Sequence, residues 1–295
     1  MCMRNILAGF GLLLLAGCST LQESTPIRAE AVEKGLVIVR ALPSELPAKA
    51  YGVPDSQYVL VTADSLGKTL VTAPIPIPFV GDYIVDKVAG TYNHSEAGKY
   101  KERFASIDPY AIAIERMQGS PLLKNRADAF KMMPFVYVVE GSDDVYRLTL
   151  VYRIEGDGWL GRYLYALPTT FTSKEVTAPS QEKLAALQAD LQTGSEKLRE
   201  LMERDARGEL KSAGGKVILG SYYLVGGRIG GFVSAGAMRF PDIDLIEKGT
   251  DYVIVRSKGD LKADANAGSL LFGVHYFKND QLHYFKEKGV SSEKK

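Results

Sequence analysis

From Tyr146 to Ile154 the chain alternates, and Tyr146, Leu148, Leu150, Tyr152 and Ile154 share one face of an extended strand. Phe135 to Val139 and Gly161 to Thr172 flank it and also read as strands. The intervening EGSDDV and EGDGWL supply turns, so the three form an antiparallel series. Leu36–Leu42 and Gln57–Ala63 are rich in β-branched residues and predict two earlier strands separated by proline-containing loops. Val217 to Phe240 reads as two strands around a glycine-rich turn, although Gly226/Gly230 and Gly227/Gly231 have the spacing of packed membrane helices. Arg228 favours strands, since it would cost about 2.5–3.5 kcal/mol at the centre of a membrane helix.

A helical period takes over elsewhere. Asp108-Pro109 is a helix start, an N-cap acid followed by proline, and YAIAIERMQ continues it until Gly119 and Pro121. Ser180 to Arg207 is the longest helical segment. Leu184, Leu191 and Leu198 repeat every seven residues, Leu187 and Leu201 lie on the adjoining seam, and Gly194 interrupts it. This helix is expected to pack across the protein's own sheet rather than into a coiled coil. In Thr72–Gly81, Pro74, Pro76 and Pro78 alternate with Ile75, Ile77 and Phe79, which predicts an extended segment whose apolar residues plug the core. Val80, Ile84 and Val88 then suggest a short amphipathic helix. The fold class expected is α+β: antiparallel sheets with a few short helices and one long amphipathic helix at about 180–207. A mixed region over 35–175 would precede that helix (176–210), with a β-rich region over 211–288 and a flexible tail over 289–295 after it.

The amino terminus has a different pattern. Arg4 precedes an apolar run, Ile6–Leu15, whose length suits a signal h-region and falls short of the roughly 20 residues of a spanning helix. Leu15-Ala16-Gly17-Cys18 resembles the lipobox of bacterial lipoproteins: an aliphatic residue, two small ones, then the cysteine whose thiol carries a thioether-linked lipid. The resemblance covers only the first twenty residues. It implies a signal peptide over 1–17, acylation of Cys18, and a lipidated tether over 18–34. A second acyl chain makes such anchoring stable, each buried methylene contributing about 0.8 kcal/mol. By the same resemblance, Ser19 in place of an aspartate directs a Gram-negative lipoprotein to the outer membrane, facing the periplasm.

Charge and cysteine content narrow the function. Removing residues 1–17 removes Arg4 alone among the charges and leaves 35 basic against 35 acidic residues, so no electrostatic drive toward nucleic acid remains. Cys2 departs with the signal and lipid occupies Cys18, which leaves neither a disulfide nor a thiolate metal site.

No constellation carries obvious chemistry. Gly-x-Ser-x-Gly, a Walker loop and a dinucleotide fingerprint are all missing, and GGRIGG has the wrong spacing. Ser65/Lys68 and Ser180/Lys183 match only the loose Ser-x-x-Lys pattern, and Ser180 has a simpler use as a helix cap. HYFK occurs twice, around His275 and His283. A hairpin turning at Asn279-Asp280 would put the two imidazoles on opposite faces, while His94 sits in a solvated loop. Asp242, Asp244 and Glu247 offer hard oxygen ligands but read more simply as turn residues. Sixteen tyrosines suit half-buried strand positions unless several converge on one exposed patch.

The expected function is therefore that of a lipid-anchored envelope protein without cofactor or metal, a non-enzymatic adaptor, assembly factor or structural component. Its partners are the membrane, through Cys18, and other envelope proteins. Two alternatives stand beside it: a carrier of apolar ligands with Ile75, Ile77 and Phe79 at its mouth, and an envelope hydrolase using unrecognised carboxylates or a serine. Beyond the lipobox the order of segments is similar only to uncharacterised envelope lipoproteins, and no site residue is carried over from them.

Overall fold

A computed structural model describes residues 23–44, 46, 50–61, 104, 106–141, 143–212, 214–224, 239–259 and 271–288. The chain enters through helix α1 (Ala29–Lys34), then the short strands β1 (Leu36–Ile38), β2 (Ala50–Gly52) and β3 (Tyr58–Val61). Helix α2 (Pro109–Met117) precedes three long strands, β4 (Phe130–Glu140), β5 (Val145–Gly156) and β6 (Trp159–Thr172). Helices α3 (Ser173–Thr177) and α4 (Gln181–Ala206) follow. The chain ends in β7 (Lys216–Gly220), β8 (Phe240–Lys248), β9 (Tyr252–Ser257), β10 (Gly273–Lys278) and β11 (Tyr284–Lys288).

The eleven strands among the described residues belong to one sheet, ordered β11-β7-β8-β9-β10-β6-β5-β4-β3-β2, with β1 beside β4. This corrects the expected α+β class of antiparallel sheets accompanied by a long amphipathic helix. The described residues form mostly one large sheet with few helices upon it, and the sheet is mixed because β1 and β3 pair parallel with β4 and β10 pairs parallel with β6. The β10–β6 pairing also joins the regions 35–175 and 211–288 through a single ladder.

The run MMPFVYVV lacks alternation because β4 is covered on both faces, as apolar strands at the centre of a sheet are. Met132, Val136 and Val138 face a core shared with the helices, whereas Phe135, Tyr137 and Val139 face a second apolar cluster with Val59, Val61 and Val151. Pro134 is tolerated in so central a strand by a gap in its neighbours. Residues 130–132 pair with β1 and residues 136–139 with β3, so a proline lacking a donor falls between the two. Gln57 fills the gap, its Nε2 donating to the Pro134 and Ala41 carbonyls at 2.8 and 3.0 Å.

The β5–β6 turn is tight. Asp157 and Gly158 both adopt positive φ, 48° and 70°, the pairing a two-residue hairpin of matching twist requires. Asp108 caps α2 by accepting from the Tyr110 amide at 3.0 Å, with Pro109 at the first helical position.

Helix α4 buries Leu187, Leu191, Leu198, Leu201 and Met202 against the sheet. Gly194 is required there, since a Cβ at that position would lie 2.7 Å from the Tyr165 ring. Ser180 caps the helix by accepting from the Lys183 amide at 3.2 Å.

Three further expectations need correction. The second HYFK does not fold back on the first. A 3₁₀ turn over Asn279–Gln281 carries the chain from β10, which lies between β9 and β6, to β11, which pairs with β7. The segment holding Asp242, Asp244 and Glu247 is strand β8 rather than a turn. The tether expected over 18–34 is not free from residue 23 onward, because Ile27 and Ala31 are buried in the main core and 29–34 form α1. The proline-rich segment 72–81, the helix expected over Val80–Val88, His94 and the tail 289–295 lie outside the described residues.

Candidate functional site

A deeply buried carboxylate, Asp205, sits at the end of α4, with its side chain 1 % exposed. Its Oδ1 accepts from Arg256 Nη2 at 2.7 Å; its Oδ2 accepts from the Tyr163 hydroxyl at 2.6 Å and from the Ile27 amide at 3.0 Å. Four parts of the chain thus meet on one carboxylate: the amino-terminal segment, β6, α4 and β9. A helix C-terminus is a poor place for a negative charge, and Arg256 offsets both the dipole and the burial. Burial, reinforced by the Asp205 charge, holds the Tyr163 hydroxyl well above the usual phenol range, so it stays a hydrogen-bond donor. With its oxygens engaged by three donors, the carboxylate is a clasp. Nearby, Trp159 Nε1 donates to Thr25 Oγ1 at 3.0 Å, and Lys258 pairs with Glu23. Residues 23–27 are tied down along their length.

On the other face of the sheet, Ser257 Oγ lies 3.1 Å from His275 Nε2, the arrangement of a nucleophile and its base. The chemistry is different here. The same Nε2 lies 2.6 Å from the Leu271 carbonyl, an acceptor only, so the nitrogen carries a proton and cannot take one from serine. Ser257 donates to that same carbonyl. Burial, aided by the nearby Arg162 guanidinium, lowers the His275 pKa to about 4, against the backbone hydrogen bond that raises it. A histidine whose folded pKa is depressed contributes stability that is complete above the unfolded value of about 6.5 and lost as pH falls toward 4. His275→Gln should therefore flatten the fall in stability between pH 7 and pH 4 relative to the parent, measured by urea denaturation at each pH.

His283 is elsewhere, its ring 4.9 Å from that of Tyr222. Among the described residues no His, Cys, Asp and Glu cluster could hold a metal ion. Each carboxylate singled out on β8 meets a cation: Asp242 with Lys288, Asp244 with Lys216 at 2.5 Å, and Glu247 with Arg204 at 2.5 Å. Lys183, of the Ser180/Lys183 pair, donates to the Thr170 carbonyl at 2.9 Å. Cys18, Ser65, Lys68, Ile75, Ile77, Phe79 and His94 lie outside the described residues.

Tyrosines do converge, although not on an exposed patch. Tyr165, Tyr276 and Tyr252 stack in a row with ring centroids 5.3 and 5.0 Å apart. Tyr252 donates to Glu247, and that bond, with Arg204, holds the Glu247 carboxyl below the usual range. Tyr165 is buried beneath α4, and Gly249 crowds the Tyr252 ring, so the row is filled from within.

A cavity of about 140 Å³ lies between Arg40, Gln57, Tyr58, Phe104 and Asp108. Arg40 is neutralised by Asp108 at 2.5 Å and stacks over Tyr110. Its volume is below the roughly 300–1,000 Å³ that small-molecule sites occupy. Among the described residues only Val37 and Ile114 are large apolar side chains exposed to solvent.

No family model, curated protein or solved structure matches the chain. The Asp205 cluster is what reading the sequence missed. Its signal was present: Asp205 stands seven residues beyond Leu198 on the Leu184/Leu191/Leu198 repeat, where an apolar side chain is expected. A charge at such a position calls for a buried partner, although nothing local names Arg256, Tyr163 or the Ile27 amide. No helix among the described residues is long and apolar enough to cross a membrane.

Proposed function

We propose that the protein is a lipid-anchored envelope component, acylated at Cys18, whose body serves as a rigid, non-enzymatic structural or adaptor module on the periplasmic side of the outer membrane. The observation that carries this reading is the fixed path of residues 23–34. A chain that only needed a leash would leave those residues free, whereas here Asp205, Trp159 and Lys258 bind them to the body within a few residues of the lipobox cysteine. Internal use of the buried polar groups favours this reading over a hydrolase. The Asp205 carboxylate and the His275–Ser257 pair are both consumed by contacts within the chain. The residues that the carrier alternative would place at its mouth, Ile75, Ile77 and Phe79, lie outside the described residues.

The test is fractionation. The parent should partition with membranes, and Cys18→Ala should move to the soluble fraction with its fold intact by circular dichroism. Retention of Cys18→Ala in the membrane fraction at parental level would refute acyl anchoring.

A further inference from the structure

The route by which the chain leaves the body fixes more than attachment. Glu23 pairs with Lys258, just beyond the end of β9, and Thr25 accepts from Trp159, the first residue of β6. These contacts lie at one end of the sheet. Gly156 pairs with Trp159 across the β5–β6 turn, Gly273 pairs with Ser257, and Val274 runs beside Tyr163. Helix α4 runs back along β6, its start near Thr170 through Lys183 and its end beside Tyr163 through Asp205. The C-terminus of α4 therefore shares this end of the molecule. Thr172, at the far end of β6, lies roughly 40 Å away at about 3.3 Å per residue.

Cys18 precedes Glu23 by five residues, which span at most about 17 Å when fully extended. Acyl chains on Cys18 would hold that residue at headgroup depth. A leash shorter than half the length of the strand it serves keeps one end of the body close to the lipid.

We propose that the protein stands on its bilayer by the β5–β6 end of the sheet, with the Asp157–Gly158 turn and Lys258 toward the lipid headgroups and the Thr172 end directed away. The proposal rests on acylation of Cys18. It adds which surface meets the membrane, and it leaves the α3 end of the molecule as the one presented outward. The short leash sets the end, and the contacts of residues 23–27 set the angle at which the leash leaves.

Mature, acylated protein has no free thiol, so a single added cysteine takes a fluorophore cleanly. Two exposed positions report the two ends: Lys211→Cys, just past α4, and Ala178→Cys, just past α3. Each full-length, acylated variant is placed in phosphatidylethanolamine/phosphatidylglycerol vesicles carrying a headgroup nitroxide quencher. Quenching should be several-fold stronger at position 211 than at position 178. A Gly/Ser insertion of about 20 residues after Thr20, which adds up to about 70 Å of reach, should bring the two toward equality. Equal quenching without the insertion, in protein that floats with the vesicles, overturns the orientation and leaves acylation standing. A difference that survives the insertion shows that something other than the leash orients the body and overturns the mechanism proposed. Protein that fails to float overturns acylation, and the orientation falls with it.

Discussion

Asp205→Ala should lower the free energy of unfolding by about 3–5 kcal/mol, because it strands Arg256 as an uncompensated buried cation and removes the acceptor of two further donors. The loss should be read from urea denaturation at neutral pH. A second signature separates this from a generic core defect: residues 23–34 should become cleavable by a non-specific protease at concentrations that leave the sheet intact, since the Ile27 amide loses its partner. Replacing both charges, as Asp205→Leu with Arg256→Met, should recover much of the global stability, since an apolar pair of similar volume often matches a buried ion pair. It should leave the amino-terminal segment cleavable. A loss under about 1 kcal/mol for Asp205→Ala, within the range of exposed ion pairs, would mean that the cluster is solvated rather than buried.

The second large effect concerns the leucine repeat of α4. Leu198→Ala and Leu191→Ala should each cost about 2–5 kcal/mol, as deletions of fully buried side chains do. Leu184→Ala should cost clearly less, since Leu184 is only partly buried against the core. A coiled-coil seam would instead make the three positions comparable and their cost dependent on protein concentration. Chemical denaturation of the three variants at two protein concentrations distinguishes the two arrangements.

What the chain discloses about its own fold follows the range of the interaction. Strands β4 to β6 are readable because their pairing is local: alternation in Tyr146–Ile154 and the αL pair Asp157-Gly158 are printed within a few residues of the contacts they make. The start of α2 is readable for the same reason, since Asp108 bonds an amide two residues away. The single mixed sheet was hidden because β10 joins β6 across more than a hundred residues, and parallel pairing leaves no turn to betray it.

Segment β8 misled in another way. Its aspartates have the composition of a turn, yet the segment is a strand because it pairs with β7 on one side and β9 on the other. Lys216 on β7 and Lys288 on β11 also meet the aspartates. The duplicated HYFK misled through similarity alone. Lys278 donates its amide to the Gln281 side chain and the chain turns away in a 3₁₀ step, so the two copies never pair.

The candidate site divides along the same line. Asp205 breaks an apolar repeat and could have been flagged from α4 by itself. The identity of what it binds depends on Ile27, Tyr163 and Arg256, which are brought to it only by the completed sheet. The polar composition of residues 19–34 suggested a leash, whereas the structure uses two small apolar anchors, Ile27 and Ala31, with one buried carboxylate to hold it.

That the amino-terminal segment is part of the folded body is the claim on which the function and the orientation both depend. Amide hydrogen exchange over residues 24–35 tests it most directly. The amides of Ile27, Ala31, Val32 and Gly35, which donate to Asp205, Arg28 and Ala31, should be protected to a degree comparable with the middle of α4. Exchange of these amides at the rate of an unstructured chain, while α4 stays protected, would contradict the account.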